Sequence, residues 1–355
     1  MDVGRRSAVL GAALTSLSRP PTSDLLSSSR IYAVSTDSAR FKPALNRLST
    51  SSLVRILRDK QAIYLGEHHP DFRDHLLQAA LIRRFRGDRP LAVGLEMVQR
   101  QFQTALDDYV ARRIDEQELF AATDWAKRWY WPFEGYAPVL RLCRDMNVPL
   151  VALDVDGEDK GKVELGGLAA LDDAKLHGYI PDLAGFEQFG RTRAYEDYLE
   201  YTLRPPFTLQ TKLGQKMTMS TSAARSMSWP NYVARQSLRD EAMAGASAGW
   251  LAQNPGGQML NLVGVSHAKF GLGVQARTAR MLGSPRAVAS VLLNPTPINT
   301  FGGAEINNLR PCDRAAVPNE ACVLNDIEVQ NYVLQLPVTG GSVLPLSNYF
   351  IFSPS

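Results

Sequence analysis

Four short apolar runs in this chain stop on residues that can do chemistry. Ala62-Ile63-Tyr64-Leu65 runs into Gly66-Glu67-His68-His69, Leu91 to Leu95 into Glu96, Pro149 to Leu153 into Asp154, and Met259 to Gly264 into Val265-Ser266-His267. A run that is apolar at every position must be covered on both faces, and runs separated by helical stretches pair in parallel. The pattern predicts an α/β fold with a central, mostly parallel sheet flanked by helices. In open sheets of this kind ligands bind just beyond the carboxyl ends of the strands, where these polar residues fall.

Helical periodicity fills the intervals. Leu53, Val54, Ile56 and Leu57 mark a short helix, and Leu76, Leu77, Ala80 and Leu81 mark another from Phe72 to Arg86, ended by Gly87-Asp88-Arg89-Pro90. Strand, helix and strand up to Leu95 have the length of a right-handed crossover, which puts Glu67 and Glu96 on neighbouring strands. Further helices are predicted at Gln99 to Arg112, Asp115 to Thr123, Tyr136 to Met146, Asn231 to Ala252 and Val274 to Leu282, with a last strand from Ala287 to Leu293. The stretch 163–252 reads as a helical lobe inserted over the sheet. Residues 53–293 form the α/β domain, and 294–355, rich in Pro, Asn and Gly, an appendage with short β segments.

Residues 1–52 are rich in Ser and Arg, with Asp2, Asp24 and Asp37 as the acids, a composition typical of transit segments. Arg5-Arg6 before Ala8-Val9-Leu10-Gly11-Ala12 resembles a twin-arginine export signal. The predicted address is a plastid, extending to the thylakoid lumen, with the bacterial periplasm as the alternative. With 39 basic and 36 acidic residues and no basic stripe carrying interleaved aromatics in the folded region, nucleic-acid binding is not expected. No run approaches the roughly 18 apolar residues of a spanning helix, so a membrane would be met only at its surface. Cys143, Cys312 and Cys322 form no Cys-x-x-Cys pair; Cys312 and Cys322 flank a short loop and can pair in an oxidising compartment.

Glu67-His68-His69, Glu96, Asp154 and His267, brought from separate strand ends, suit two chemistries: general acid–base work without metal, or a divalent metal held by imidazoles and carboxylates with a water position left open. Trp125-Ala126-Lys127-Arg128-Trp129-Tyr130-Trp131, followed by Tyr136, holds three of the five tryptophans. Such a segment can seal a core or wall a pocket for a flat ligand; in the second case Trp125, Trp129 and Tyr136 line it, with Lys127 and Arg128 available to carboxylates.

Taken in order, Tyr64-Leu-Gly-Glu-His-His69, Gly94-Leu-Glu-Met97, the Trp-rich segment up to Tyr136-Ala-Pro138, Val151-Ala-Leu-Asp154, Ala234 to Ala244, and Val263-Gly-Val-Ser-His267 with Gly271-Leu-Gly273 resemble the ChaN-like haem-binding uptake family. That family stands with the Tiki proteases and the erythromycin-esterase-like enzymes in one superfamily. The resemblance spans about Leu53 to Leu293. It implies a polar site at Glu67, His69, Glu96 and His267, with His68 at a variable position, the four serving as acid–base groups or Glu67, His69 and His267 holding a divalent metal. It implies a tetrapyrrole or iron ligand, with a hydrolase as the alternative and a homodimer left open.

Overall fold

The computed structural model describes residues 22–35, 44–87, 89–217, 227–295, 335–338 and 342–354. Its strands are β1 (Arg30–Ser35), β2 (Ala44–Leu48), β3 (Ala62–Glu67), β4 (Leu91–Gln99), β5 (Leu150–Asp154), β6 (Gln258–Gly264), β7 (Val288–Leu293), β8 (Gln335–Val338), β9 (Ser342–Pro345) and β10 (Tyr349–Phe352). Eight of them make one sheet in the order β2-β1-β10-β7-β3-β6-β4-β5, and β8 pairs with β9 in a separate hairpin. From β10 to β5 every neighbour is parallel, whereas β1 is antiparallel to β10 and β2 to β1.

The apolar runs form the interior strands because both sides of the sheet are covered. Ile63 and Leu65 of β3, with Leu260 and Leu262 of β6, join the core built on the helices Phe72–Phe85 and Phe133–Met146. Ala62 and Tyr64, with Met259 and Val263, face the opposite core, under the helices Trp229–Gln253 and Val274–Met281. Successive side chains thus alternate between two cores, the period-2 reading of an all-apolar strand. The predicted lobe carries a third, smaller core of Val155, Val163, Tyr179, Ile180, Leu238 and Ala242.

Three expectations change. Glu67 and Glu96 do not end neighbouring strands, because β6 lies between β3 and β4 and pairs with both. The crossover skips one position, which chain order cannot reveal. Part of the segment read as an address, residues 30–35 and 44–48, supplies the antiparallel edge of the sheet. Tyr349–Phe352, read as appendage, enters the sheet between β7 and β1. These strands are short and sit in Ser-, Arg- or Pro-rich sequence, so their periodicity is weak. Residues 1–21 and the Cys312 and Cys322 pair lie outside the described residues; Cys143 is a free, fully buried thiol.

Candidate functional site

Glu67 closes β3 with its carboxylate fully buried among Tyr136, His69, Gln78 and His75. Oε1 accepts from the Tyr136 hydroxyl at 2.8 Å and lies 2.9 Å from His69 Nδ1 and 3.4 Å from His75 Nε2, while Oε2 accepts from the Gln78 amide. His75 and Gln78 sit three residues apart on one face of the Phe72–Phe85 helix. Burial alone would push the Glu67 carboxyl up, but the hydrogen bonds and charges of His69 and His75 outweigh it and hold it at about 2. Tyr136 is pushed far up by burial and by the adjacent carboxylate, so its phenol stays a donor. His68 turns away, its backbone N–H and Nδ1 both on Asp74 Oδ2 at 2.8 and 3.0 Å.

A second cluster is built on the long helix. Arg239 sits mid-helix, buried, with Nη2 on Glu96 Oε1 at 2.8 Å and Nε on Asp154 Oδ1 at 2.8 Å. Lys160 Nζ closes on Asp154 Oδ2 at 2.6 Å. Asp154 is therefore an ion-pair partner rather than a simple loop cap. The next helix residue, Asp240, holds His267 Nδ1 at 2.5 Å, and His267 Nε2 faces Arg239 Nη1 at 3.1 Å and Glu96 Oε1 at 3.4 Å. Burial would depress the His267 imidazole; Glu96 and Asp240 overcome this and raise it to about 9. Burial would likewise raise Glu96, and His267 and Arg239 instead hold it well below the usual carboxylate range.

The two clusters meet at Gly264, the last residue of β6. Its N–H donates to Glu96 Oε2 at 2.5 Å, and a Cβ on its α-carbon would stand 2.8 Å from His69 Nε2 and 3.5 Å from Glu96 Oε2. Only the absence of a side chain lets imidazole and carboxylate close over the strand end. His69 Nδ1 is committed to Glu67 and to the Tyr136 hydroxyl at 3.0 Å, so Nε2 is the atom turned to the Gly264 gap. Burial tends to lower the His69 imidazole, and the hydrogen bond and charge of Glu67 raise it overall.

Sequence reasoning placed Glu67, His69, Glu96 and His267 in one site, and the structure brings them to one sheet end in two linked sets. The trio Glu67, His69 and His267 does not converge, because Arg239 stands on His267. Among the described residues no group of three His, Cys, Asp or Glu side chains is placed to hold a metal ion. That donor set does not fit a cation.

Of the aromatic wall, Trp129 lies edge-on to His69 with ring centres 5.2 Å apart and gives its N–H to the Tyr136 hydroxyl at 3.3 Å. Trp131 lies nearly parallel to the imidazole at 6.0 Å, and Tyr130, 87% exposed, packs edge-on to Trp131. Trp125 instead belongs to the core, 3% exposed against Phe133 and Tyr136. Tyr136 is likewise buried and reaches the site by its hydroxyl. His75, Gln78 and Lys160 escaped the sequence reading, and Arg239 and Asp240 entered it only as part of the resembling segment Ala234 to Ala244, not as site residues. Charged neighbours in the middle of a long helix with a small-residue face were the one signal for Arg239 and Asp240.

Residues 53–278 match the family described as haem-binding uptake, Tiki superfamily, ChaN. The chain belongs to that family. ChaN of Campylobacter jejuni, a structure titled for cofacial heme binding, has the same fold at 15% identity, with a TM-score of 0.53 over 92% of this chain and 98% of that one. An erythromycin esterase, EreC in an open conformation, aligns at 13% identity and a TM-score of 0.45 over 86% of this chain and 93% of that one. The chloroplastic protein RETICULATA-RELATED 5 of Arabidopsis thaliana is 25% identical over 258 residues, 67% of this ChaN-family chain. The chain spans about a third of that relative's length, 32%.

Proposed function

We propose that this ChaN-family protein binds a tetrapyrrole of the haem class at the aromatic lip beside His69, serving haem or iron handling in a plastid. The observation that carries the reading is that imidazole: its Nδ1 is fixed by Glu67, and its ring is flanked by Trp129 and Trp131 next to the exposed Tyr130. A carboxylate on one ring nitrogen is the usual support of a histidine whose other nitrogen binds iron. The rings offer apolar surface, with Trp131 nearly parallel to the imidazole and Trp129 edge-on to it, and the exposed Lys127, paired with Asp124 at 3.2 Å, lies two residues before Trp129 in the chain. Bound haem would supply the iron and the conjugated macrocycle. The chain's own part is to hold the imidazole, keep its proton on Nδ1 and cover the ring. The plastid address rests on the chloroplastic relative and on the composition of residues 1–21, which precede the folded elements in sequence and include Arg5-Arg6. Titration of the purified protein with hemin should give a saturable Soret shift at micromolar concentrations; no shift would overturn the reading.

A second reading, hydrolysis by acid–base catalysis, is favoured by the two imidazole–carboxylate pairs, Glu67–His69 and Asp240–His267, on either side of Gly264. Neutral His69 would take a proton from water at Nε2, and the water oxygen would attack the substrate's carbonyl carbon. Cationic His267 would return a proton to the leaving group. Ester hydrolysis abolished in both His69→Ala and Glu96→Ala supports it, and activity retained in both rejects it.

A further inference from the structure

The opposite end of the sheet, where the parallel strands begin, carries a different kind of charge. Arg58 and Lys60 precede β3, Arg83, Arg84, Arg86 and Arg89 precede β4, and Arg286 precedes β7, while Arg55 lies one turn back on the helix Thr50–Arg58. Hydrogen bonds tie these segments into one surface: Arg58 donates to the Arg84 carbonyl, Lys60 to that of Arg286, and Arg89 to those of Arg58, Gly256 and Gly257. The acceptors are backbone carbonyls, so no charge is neutralised. Among the described residues no carboxylate forms an ion pair with any of the eight. Asp59 and Asp88 are the acids in the same stretches of sequence, eight basic residues to two acidic ones, in a chain with 39 basic and 36 acidic residues overall. Six of the eight are exposed and Lys60 and Arg89 are half-buried, and Arg86 and Arg89 edge a crevice of about 390 Å³ walled by Pro90, Pro149 and Trp250.

We propose that this strand-start face docks on an anionic lipid surface, with the phosphate-bearing headgroups as its ligands. Seven of the eight cations are arginines, whose planar fork pairs with phosphate oxygens. Clusters of four to eight basic residues are the usual size for anionic-bilayer attraction. Of its aromatic rings Phe85 is buried and Trp250 is half-buried in the crevice, so among the described residues the patch offers no series of exposed rings for stacking bases, which favours a headgroup layer over nucleic acid. Among the described residues no helix is long and apolar enough to cross a membrane, so contact would be peripheral. Docked by this face, the protein holds His69 and its aromatic lip away from the lipid.

The test is co-sedimentation of the full chain with vesicles of phosphatidylcholine alone or with 30% phosphatidylglycerol, at 0.1 and 0.5 M salt. Partition at least tenfold stronger on the anionic vesicles, lost at high salt and reduced at least tenfold in Arg55→Gln/Arg83→Gln/Arg86→Gln/Arg286→Gln, is the expected result; among the described residues none of these four side chains makes a hydrogen bond. A melting curve matching wild type keeps the variant interpretable, and Lys127→Gln at the other end should bind as wild type does. Equal binding to both vesicle types, an unaffected quadruple variant, or release of the vesicles by equimolar duplex RNA would overturn the proposal. Hemin binding at the far end is untouched by any of these outcomes.

Discussion

Two clusters of buried charge share one end of the sheet, and they differ in what they leave over. Around Arg239, every strong group is spent: Glu96 and Asp154 on the guanidinium, Lys160 on Asp154, and Asp240 on His267. Around Glu67, Tyr136, Gln78, His69 and the nearby His75 serve one carboxylate, and His69, its side chain 17% exposed beside an aromatic lip, keeps Nε2 over Gly264 with no hydrogen bond among the described residues. Charges that are completely paired fix geometry, whereas an oriented group with an atom to spare can act on a ligand. The Arg239 cluster is thus the frame and the Glu67–His69 cluster the working surface.

Removing the frame should do the most damage. Arg239→Ala strands two buried carboxylates, and unfolding in denaturant should show a loss of about 3–5 kcal/mol. Smaller, and aimed at the junction, Gly264→Ala places a methyl group 2.8 Å from His69 Nε2. It should cost about 1–3 kcal/mol in stability and weaken hemin binding at the same time; a variant that binds and melts like wild type would separate the clusters. Tyr136→Phe removes one donor from Glu67 and one acceptor from Trp129, at about 1–2 kcal/mol.

Acid and base should distinguish the clusters as well. Glu67, held at about 2 in the fold, contributes stability that is present above its unfolded pKa, and this is lost as pH falls from roughly 4.5 toward 2. His267, raised to about 9, contributes stability fully present below its unfolded pKa and lost as pH rises from roughly 6.5 through 9. Melting curves across pH should therefore show acid loss that shrinks in Glu67→Gln and alkaline loss that shrinks in His267→Gln. The reverse assignment would break the comparison.

The interior of the fold was legible because a strand covered on both faces must be apolar at every position, and Glu67, Glu96, Asp154 and His267 stood out where such runs ended. The strand order was not, since nothing local tells β3 that β6 will lie beside it. The edge strands β1, β2 and β10 are short and lie in polar sequence. His75, Gln78, Arg239 and Asp240 were hidden for a related reason: they reach the strand ends from helices, and a polar residue on a helix signals solvent unless its buried partner is known. The tryptophans carried a double message, with Trp125 in the core and Trp129 at the site, and only packing tells them apart.

The division between frame and working surface is tested most directly by the hemin dissociation constant of His69→Ala. The expected result is at least tenfold weaker binding than wild type in a protein whose unfolding midpoint is nearly unchanged, because His69 serves the ligand and little of the fold. An unchanged dissociation constant in that well-folded variant would contradict it.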